Sequence, residues 1–247
     1  MSRWKAAAIH SLLSLLAGGL VFGLLFGLWF PPPYFHAAGA DKLVLLLFGI
    51  DLTLGPLLTL IIFKSGKRGL KFDLTVIAVL QAAALVYGLH VITGTRPVFL
   101  VGAIDRFNLV SAKDIEAADL AEARHAQFRR LSWTGALLVA TKRPDDPAER
   151  TKLLFSGLEG KDLERLPKYY VPYEEGVQSL LERAQPLDKL RPKDADVDAE
   201  VNAWLARNGR SRDDVVWLPV MARNASLTML MDKRSGQPLG ALDIDPW

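Results

Sequence analysis

One carboxylate lies where carboxylates are rare. Asp51 is the only charged side chain inside the apolar run 43–63, and a charge so deep in such a helix is costly enough that it must be paired or protonated. Three kinds of chemistry are open to it: a hydrogen-bonded clamp between helices, recognition of a partner, and proton transfer or catalysis. Its neighbours follow from register. If the runs 43–63 and 74–94 form an antiparallel hairpin with residues 43 and 95 level, position 51 lies across from about 87. Tyr87 then stands opposite, His90 lies one turn outward, and Gln81 sits deeper. The candidate intramembrane polar cluster is therefore Asp51, Gln81, Tyr87 and His90. A clamp is the plainest reading, because an intramembrane aspartyl enzyme needs two carboxylates sharing a proton and no second one lies in any apolar run. Gly55-Pro56, one turn on, is expected to kink the helix.

Elsewhere the chemistry is sparse. With no cysteine, thiol chemistry, disulfides and iron–sulfur clusters are excluded, and four histidines at 10, 36, 90 and 125 have no metal-ligand spacing. There is no phosphate-binding glycine loop and no G-x-S-x-G. Asp243-Ile244-Asp245 reads as a strand end, His125 as solvated, and Asp105-Arg106 as solvated in preference to an ion pair. Lys168-Tyr169-Tyr170-Val171-Pro172-Tyr173 is the most suggestive polar-region feature, since tyrosines in a Pro-containing loop are contact hot-spot types. Tyr169, Tyr170 and Tyr173 are candidate partner-binding residues; the alternative is that their rings seal the loop onto its own domain. No catalytic residue, cofactor or metal is assigned. A formal net charge of +3, dispersed along 247 residues, gives no reason to expect nucleic acid.

The elements that must position these residues divide the chain unevenly. From Ala6 to Ala40 there is no Asp, Glu, Lys or Arg. Three segments, about 9–30, 43–63 and 74–94, are long and apolar enough to span a bilayer, and their short connections give an up-down-up membrane domain over residues 1–96. Arg3, Lys5, Lys64, Lys67, Arg68 and Lys71 fall at one end of these spans and Lys42 in the loop at the other, where Arg96, Arg106 and Lys113 count for less because long domains are exported largely regardless of charge; the N-terminus is expected in the cytoplasm and residues 97–247 outside. A retained anchor fits better than a cleaved signal peptide, because the run is long and Ala38-Gly39-Ala40 lies beyond Pro31-Pro32-Pro33. Gly19, Gly23 and Gly27, with Gly18 beside them, bare one face of the first span. That face either packs on the chain's own second and third spans or receives a partner's transmembrane helix.

After Pro97 the period becomes extended. Strands are expected at 98–101 and 107–110 around Asp105-Arg106, then a capping box at Ser111–Asp114 opening a helix of about 15 residues to roughly Gln127. A strand at 135–141 and a helix from about Pro147 to Leu158 follow. Residues 160–209, broken by Pro167, Pro172, Pro186 and Pro192, read as short helices and loops. Strands at about 214–221, 226–232 and 238–244 close the chain as an antiparallel meander. The expected fold is an α-helical three-span membrane anchor followed by a mixed α+β extracytoplasmic domain.

These residues together resemble the TfpX/TfpZ family of type IV pilin accessory proteins. The matching pieces are Tyr34-Phe35, Asp51 followed by Leu54-Gly55-Pro56-Leu57-Leu58-Thr59, Asp73-Leu74, Leu80-Gln81 and Tyr87-Gly88. Arg96-Pro97-Val98, Asp105-Arg106-Phe107 and the closing Asp245-Pro246-Trp247 complete the order. The resemblance implies a multi-pass protein of the bacterial inner membrane with a periplasmic domain, a chaperone-like and non-enzymatic role in pilus assembly, and a type IV major pilin as partner, with the assembly machinery as a second. Gly19, Gly23, Gly27 and the Asp51 region would then contact the pilin helix. Two other classes stand beside it: a membrane enzyme or small transporter using Asp51, Tyr87 and His90, and an extracytoplasmic sensor, for which the short cytoplasmic segments supply no output domain.

Overall fold

The computed structural model describes residues 1–158, 160–190 and 196–247, so Pro192 lies outside the described residues. Three helices are long and apolar enough to cross a membrane. The first, α1 (Arg3–Leu24), is capped by the Ser2 side chain and runs on through a π-helical turn at Leu25–Trp29. A four-residue helix α2 (Tyr34–Ala37) follows Pro31-Pro32-Pro33. Gly39, in the left-handed conformation at φ 78°, then turns the chain into α3 (Ala40–Ile62). A Cβ at Gly39 would stand 2.7 Å from the Asn224 amide, so glycine is required there for space as well as for backbone conformation. Helix α4 (Leu70–Thr95) returns antiparallel to α3.

Helix α4 passes into the sheet without a linker. Strand β1 (Pro97–Ala103) begins two residues after Thr95 and pairs antiparallel with β2 (Arg106–Ser111). The further strands are β3 (Leu137–Thr141), β4 (Tyr170–Pro172), β5 (Gln185–Pro186), β6 (Val215–Met221), β7 (Ser226–Asp232) and β8 (Pro238–Leu242). The sheet order is β4-β3-β1-β2-β6-β7-β8, with β5 on β6; β1–β3 and β2–β6 are parallel and β6-β7-β8 is an antiparallel meander. Pro219 sits inside β6 at no cost to the ladder on that side. It falls between Val216–Trp217, which pair with β5, and Val220–Met221, which pair with β2.

Strand β1 is buried along its whole length because both faces of the sheet are covered. On one face Leu100, Phe107, Leu109, Val220, Leu227 and Met229 share a core with Leu25, Trp29, Phe30, Ala37, Ala40 and Ile92 from the helical part. The helix α7 (Tyr173–Leu181) covers the remainder of that face. On the other face Phe99, Val101 and Val139 pack against Ala123, Phe128, Leu163 and Tyr170 from the segment 112–170. The helix α8 (Val197–Asn208) packs through Val201 and Leu205 on Val215, Trp217 and Leu230.

One expected element is absent. The Ser111–Asp114 capping box forms, but it closes a single 3-10 turn, and the helix expected to run to Gln127 is reduced to α5 (Ala117–Ala121). Ile115, Ala123 and Phe128 are all buried in the sheet face, a spacing of eight and five residues that no continuous helix can present to one side. By contrast α6 (Pro147–Leu158) forms where the Pro147 start signal put it.

The junction between helices and sheet is built on Arg96, which is 5% exposed. Its guanidinium stacks 4.0 Å from the Trp133 ring centroid and 5.9 Å from that of Trp29. It donates to the carbonyls of Ser132 (3.2 Å) and Thr93 (2.7 Å), while Trp29 Nε1 donates to the Trp133 carbonyl at 2.8 Å. On the other side of the junction the Asn224 N–H donates to the Ala37 carbonyl at 2.9 Å. Arg96→Ala removes the stack and strands two carbonyls, and is expected to cost roughly 2–4 kcal/mol, read as a lowered melting midpoint of the detergent-solubilised protein.

The β7–β8 turn is held by Asp232. Its Oδ1 accepts from the N–H groups of Arg234 and Ser235 and from Ser235 Oγ, and its Oδ2 accepts from Arg210 at 2.8 Å. These donors, the Ser235 N–H foremost, lower its pKa to about 2. A depressed carboxylate contributes stability above its unfolded pKa and loses it as pH falls through the folded value. Asp232→Asn is therefore expected to be less stable than the parent at neutral pH, with the difference between their melting midpoints closing as the pH falls from about 4 toward 2.

Candidate functional site

Helix α3 lies between α1 and α4 and carries the polar contacts to each. Toward α4, Gln81 Nε2 donates to Asp51 Oδ1 at 2.9 Å and to the Asp51 carbonyl at 3.2 Å. Toward α1, His10 Nδ1 and Thr59 Oγ1 are 2.7 Å apart. Close approach of the backbones makes the first contact possible. A Cβ at Gly55 would stand 1.9 Å from Gln81 Nε2, and one at Gly88 would stand 2.4 Å from a Leu47 methyl.

This register corrects the expected one. Because α3 starts at Ala40 rather than Leu43, levelling residue 40 with 95 sets position 51 across from about 84, and Gln81 is one turn away on the same face. Tyr87 is 71% exposed and does not stand opposite Asp51, and His90 is exposed as well. The structure thus hydrogen-bonds Asp51 to Gln81, sets Tyr87 on the same α3–α4 groove without a hydrogen bond to either, and leaves His90 out of the cluster.

At the Arg96 junction α1 and α4 converge; toward their other ends they leave a groove of about 420 Å³ floored by α3. Its walls are mostly apolar, from Ile9, Leu13 and Ala17 on α1 and Leu74, Ala78 and Leu85 on α4. Along it lie the polar side chains His10, Ser14, Asp51, Thr59 and Gln81, from all three helices. Asp51 Oδ1 is taken by Gln81; among the described residues Oδ2 meets no donor.

The glycine stripe does not pack inside the chain. Gly18 is the glycine that faces α3, with a Cβ position 3.3 Å from the Phe48 ring, whereas Gly19, Gly23 and Gly27 have nothing within 4 Å. One residue is about 100° around a helix, so Gly19 and its repeats turn away from α3 and from the groove. The stripe and Asp51 therefore lie on different sides of the bundle.

The tyrosine loop is a second correction. Tyr169, Tyr170 and Tyr173 are all buried. Tyr170 packs edge-on against Phe99 and donates to the Glu164 carbonyl, and Tyr173 stacks on Phe107 and donates to the Gly236 carbonyl at 2.7 Å. Burial raises both phenols well above their usual range and also lifts the Glu164 carboxyl. These rings seal the loop onto the sheet. Asp105 and Arg106, expected to be solvated, form an ion pair at 2.8 Å that lowers the carboxyl and raises the guanidinium.

What the sequence reading missed in the C-terminal region is the exposed apolar face of α6, which has no buried residue and exposes Leu154, Phe155 and Leu158. The signal was present as an apolar run at its C-terminal end. Among the described residues no three His, Asp or Glu side chains converge as a metal site.

Over 245 residues, 98% of this chain and 95% of the relative, the sequence is 31% identical to the fimbrial assembly protein of serogroup I from Dichelobacter nodosus. The chain belongs to the fimbrial assembly protein family. The serogroup E1 protein of the same organism is 29% identical over the same span, and the serogroup C1 and C2 protein is 40% identical over 122 residues, 48% of this chain and 92% of that one. Residues 1–39 match the family described as fimbrial assembly protein FimB, a stretch that holds α1, α2 and the Gly39 turn. No solved structure matches.

Gly55→Ala is expected to drive the Gln81 amide off Asp51, and Gln81→Leu to remove it. Each should lower stability by about 1 kcal/mol, and the double variant should cost little more than either alone, as measured by unfolding in detergent.

Proposed function

We propose that this chain is a TfpX/TfpZ-type accessory protein of the bacterial inner membrane, with its N-terminus in the cytoplasm and residues 97–247 in the periplasm. It acts without catalysis. It holds a type IV major pilin through the pilin's single membrane helix and assists its stability or its entry into the pilus. The relatives' description as fimbrial assembly proteins supports the assembly role, and the sequence resemblance supports the choice of pilin.

The observation that carries the reading is the groove beside Asp51. A carboxylate oxygen with no donor is unfavourable among lipid tails, which cannot hydrogen-bond, and it is satisfied by a helix that brings a donor to that depth. Such a helix completes a four-helix bundle in the space between α1 and α4. The alternative of catalysis by Asp51 with Tyr87 and His90 draws less support, because among the described residues Asp51 is hydrogen-bonded to Gln81 and to neither of those two side chains.

Pilin is expected to co-purify with the intact protein and to be lost when the three helices are replaced by an unrelated anchor. Per unit of accessory protein, Asp51→Ala should reduce recovered pilin about tenfold. Gly23→Leu, which enters open space, should leave the protein level unchanged; loss of pilin in that variant would assign the glycine stripe to the contact, and retained pilin would assign the groove alone. Unchanged recovery with the helices replaced would defeat helix docking.

A further inference from the structure

The loop 129–135 touches the ends of both helices that flank α3. Trp29 Nε1 on the last turn of the first helix donates to the Trp133 carbonyl, and a Cβ at Gly135 would stand 3.4 Å from the Leu28 carbonyl oxygen. Arg96, directly after α4, lies on the Trp133 ring and donates to the Ser132 carbonyl. The loop is therefore fixed at the depth where the apolar helices end. Yet Trp133 is 59% exposed, with Arg96 and Trp29 beside its ring, and Ala136 and Leu137 next to it are exposed as well.

The loop and the segments beside it carry cations. Arg124, Arg129, Arg130 and Lys113 are exposed. Arg129 donates to the Ala123 carbonyl, beside Arg124, and the Lys113 Cβ lies 3.9 Å from the Cβ position of Gly94 in the last turn of α4. The carboxylates near them in sequence are engaged elsewhere. Glu116 and Asp119 pair with Lys161, Glu122 with Lys168, and Asp114 with Arg223. Among the described residues no carboxylate pairs with Arg124, Arg129, Arg130 or Lys113. An exposed indole in a loop that carries unpaired cations, at the level where spanning helices finish, has the composition of a surface that sits in the headgroup layer. Indoles favour that layer, and guanidinium and ammonium groups bind its phosphates.

We propose that residues 129–135 dock on the bilayer surface, with Trp133 in the interface and Arg129, Arg130 and Lys113 on the phosphates of anionic phospholipids. This contact rests on the reading that α1, α3 and α4 cross the membrane, and it is independent of pilin. It fixes the C-terminal domain against the lipid on the side where β3 and β4 form the sheet edge.

The chain has no cysteine, so Thr134→Cys gives a single site for a nitroxide on the full-length protein. Reconstitution is in phosphatidylcholine vesicles with or without a phosphatidylglycerol fraction, and the readout is relaxation by oxygen relative to a water-soluble nickel chelate. The label is expected to be immersed when phosphatidylglycerol is present. Arg129→Gln and Arg130→Gln should each shift the immersed-to-exposed ratio about five-fold toward water. A label on Val79→Cys, on an exposed apolar position of α4, reports the spans separately. Water exposure at position 79 overturns the spanning reading. Immersion at 79 with water exposure at 134 in both lipids overturns the docking loop, and immersion at 134 that ignores lipid charge and both arginines overturns the phosphate contact.

Discussion

The arrangement of the molecule depends on one buried cation. Arg96 stands at the single point where α4 becomes β1, and its guanidinium is enclosed by two indole rings and two carbonyl groups. A guanidinium is more weakly hydrated than an ammonium and stacks on aromatic faces, so it tolerates this enclosure where a lysine would not. The same contact pulls the Trp133 loop onto the end of α1. Helices α1 and α4, which α3 separates, are thereby brought together at one end only. The groove at the other end is the geometric result.

The polar residues of the apolar helices acquire meaning from that wedge. Asp51, Gln81, Thr59, Ser14 and His10 would each be a liability if spread around the bundle, but they collect along one concavity. Two pairs are satisfied across helix boundaries and hold α3 to its neighbours. What remains over is acceptor capacity on Asp51, and it is this capacity that the proposed docking of a membrane helix draws on. The C-terminal domain offers a different kind of surface on α6, where Leu154 and Leu158 line a hollow of about 500 Å³ with Ile104 of the β1–β2 turn and Phe155 is exposed nearby.

Much of this was legible in the residues and some was not, for identifiable reasons. Long apolar runs announce helices by length alone, and β6, β7 and β8 alternate with turn residues that admit few other readings. The parallel pairings β1–β3 and β2–β6 join strands separated by long crossovers, so local pattern carries no trace of them. Register between α3 and α4 was misjudged because it depends on where α3 begins. That is decided by Gly39 and the Asn224 contact 185 positions away, not by hydropathy. Tyr169, Tyr170 and Tyr173 misled for another reason: a tyrosine suits a partner surface and a sealed loop equally well, and only the neighbouring sheet decides between them. The four-residue spacing of Gly19, Gly23 and Gly27 was visible, but which glycine meets a neighbour turned on Gly18, one position away.

The absence of any spacer between Thr95 and Pro97 has a mechanical consequence. The third helix and the central strand of the sheet form one stiff mast, and a shared core braces it against the first helix. If the helix leans, the whole sheet leans with it, by an amount that grows with distance from the pivot. A head mounted this way keeps a constant height and heading relative to the helices that carry it.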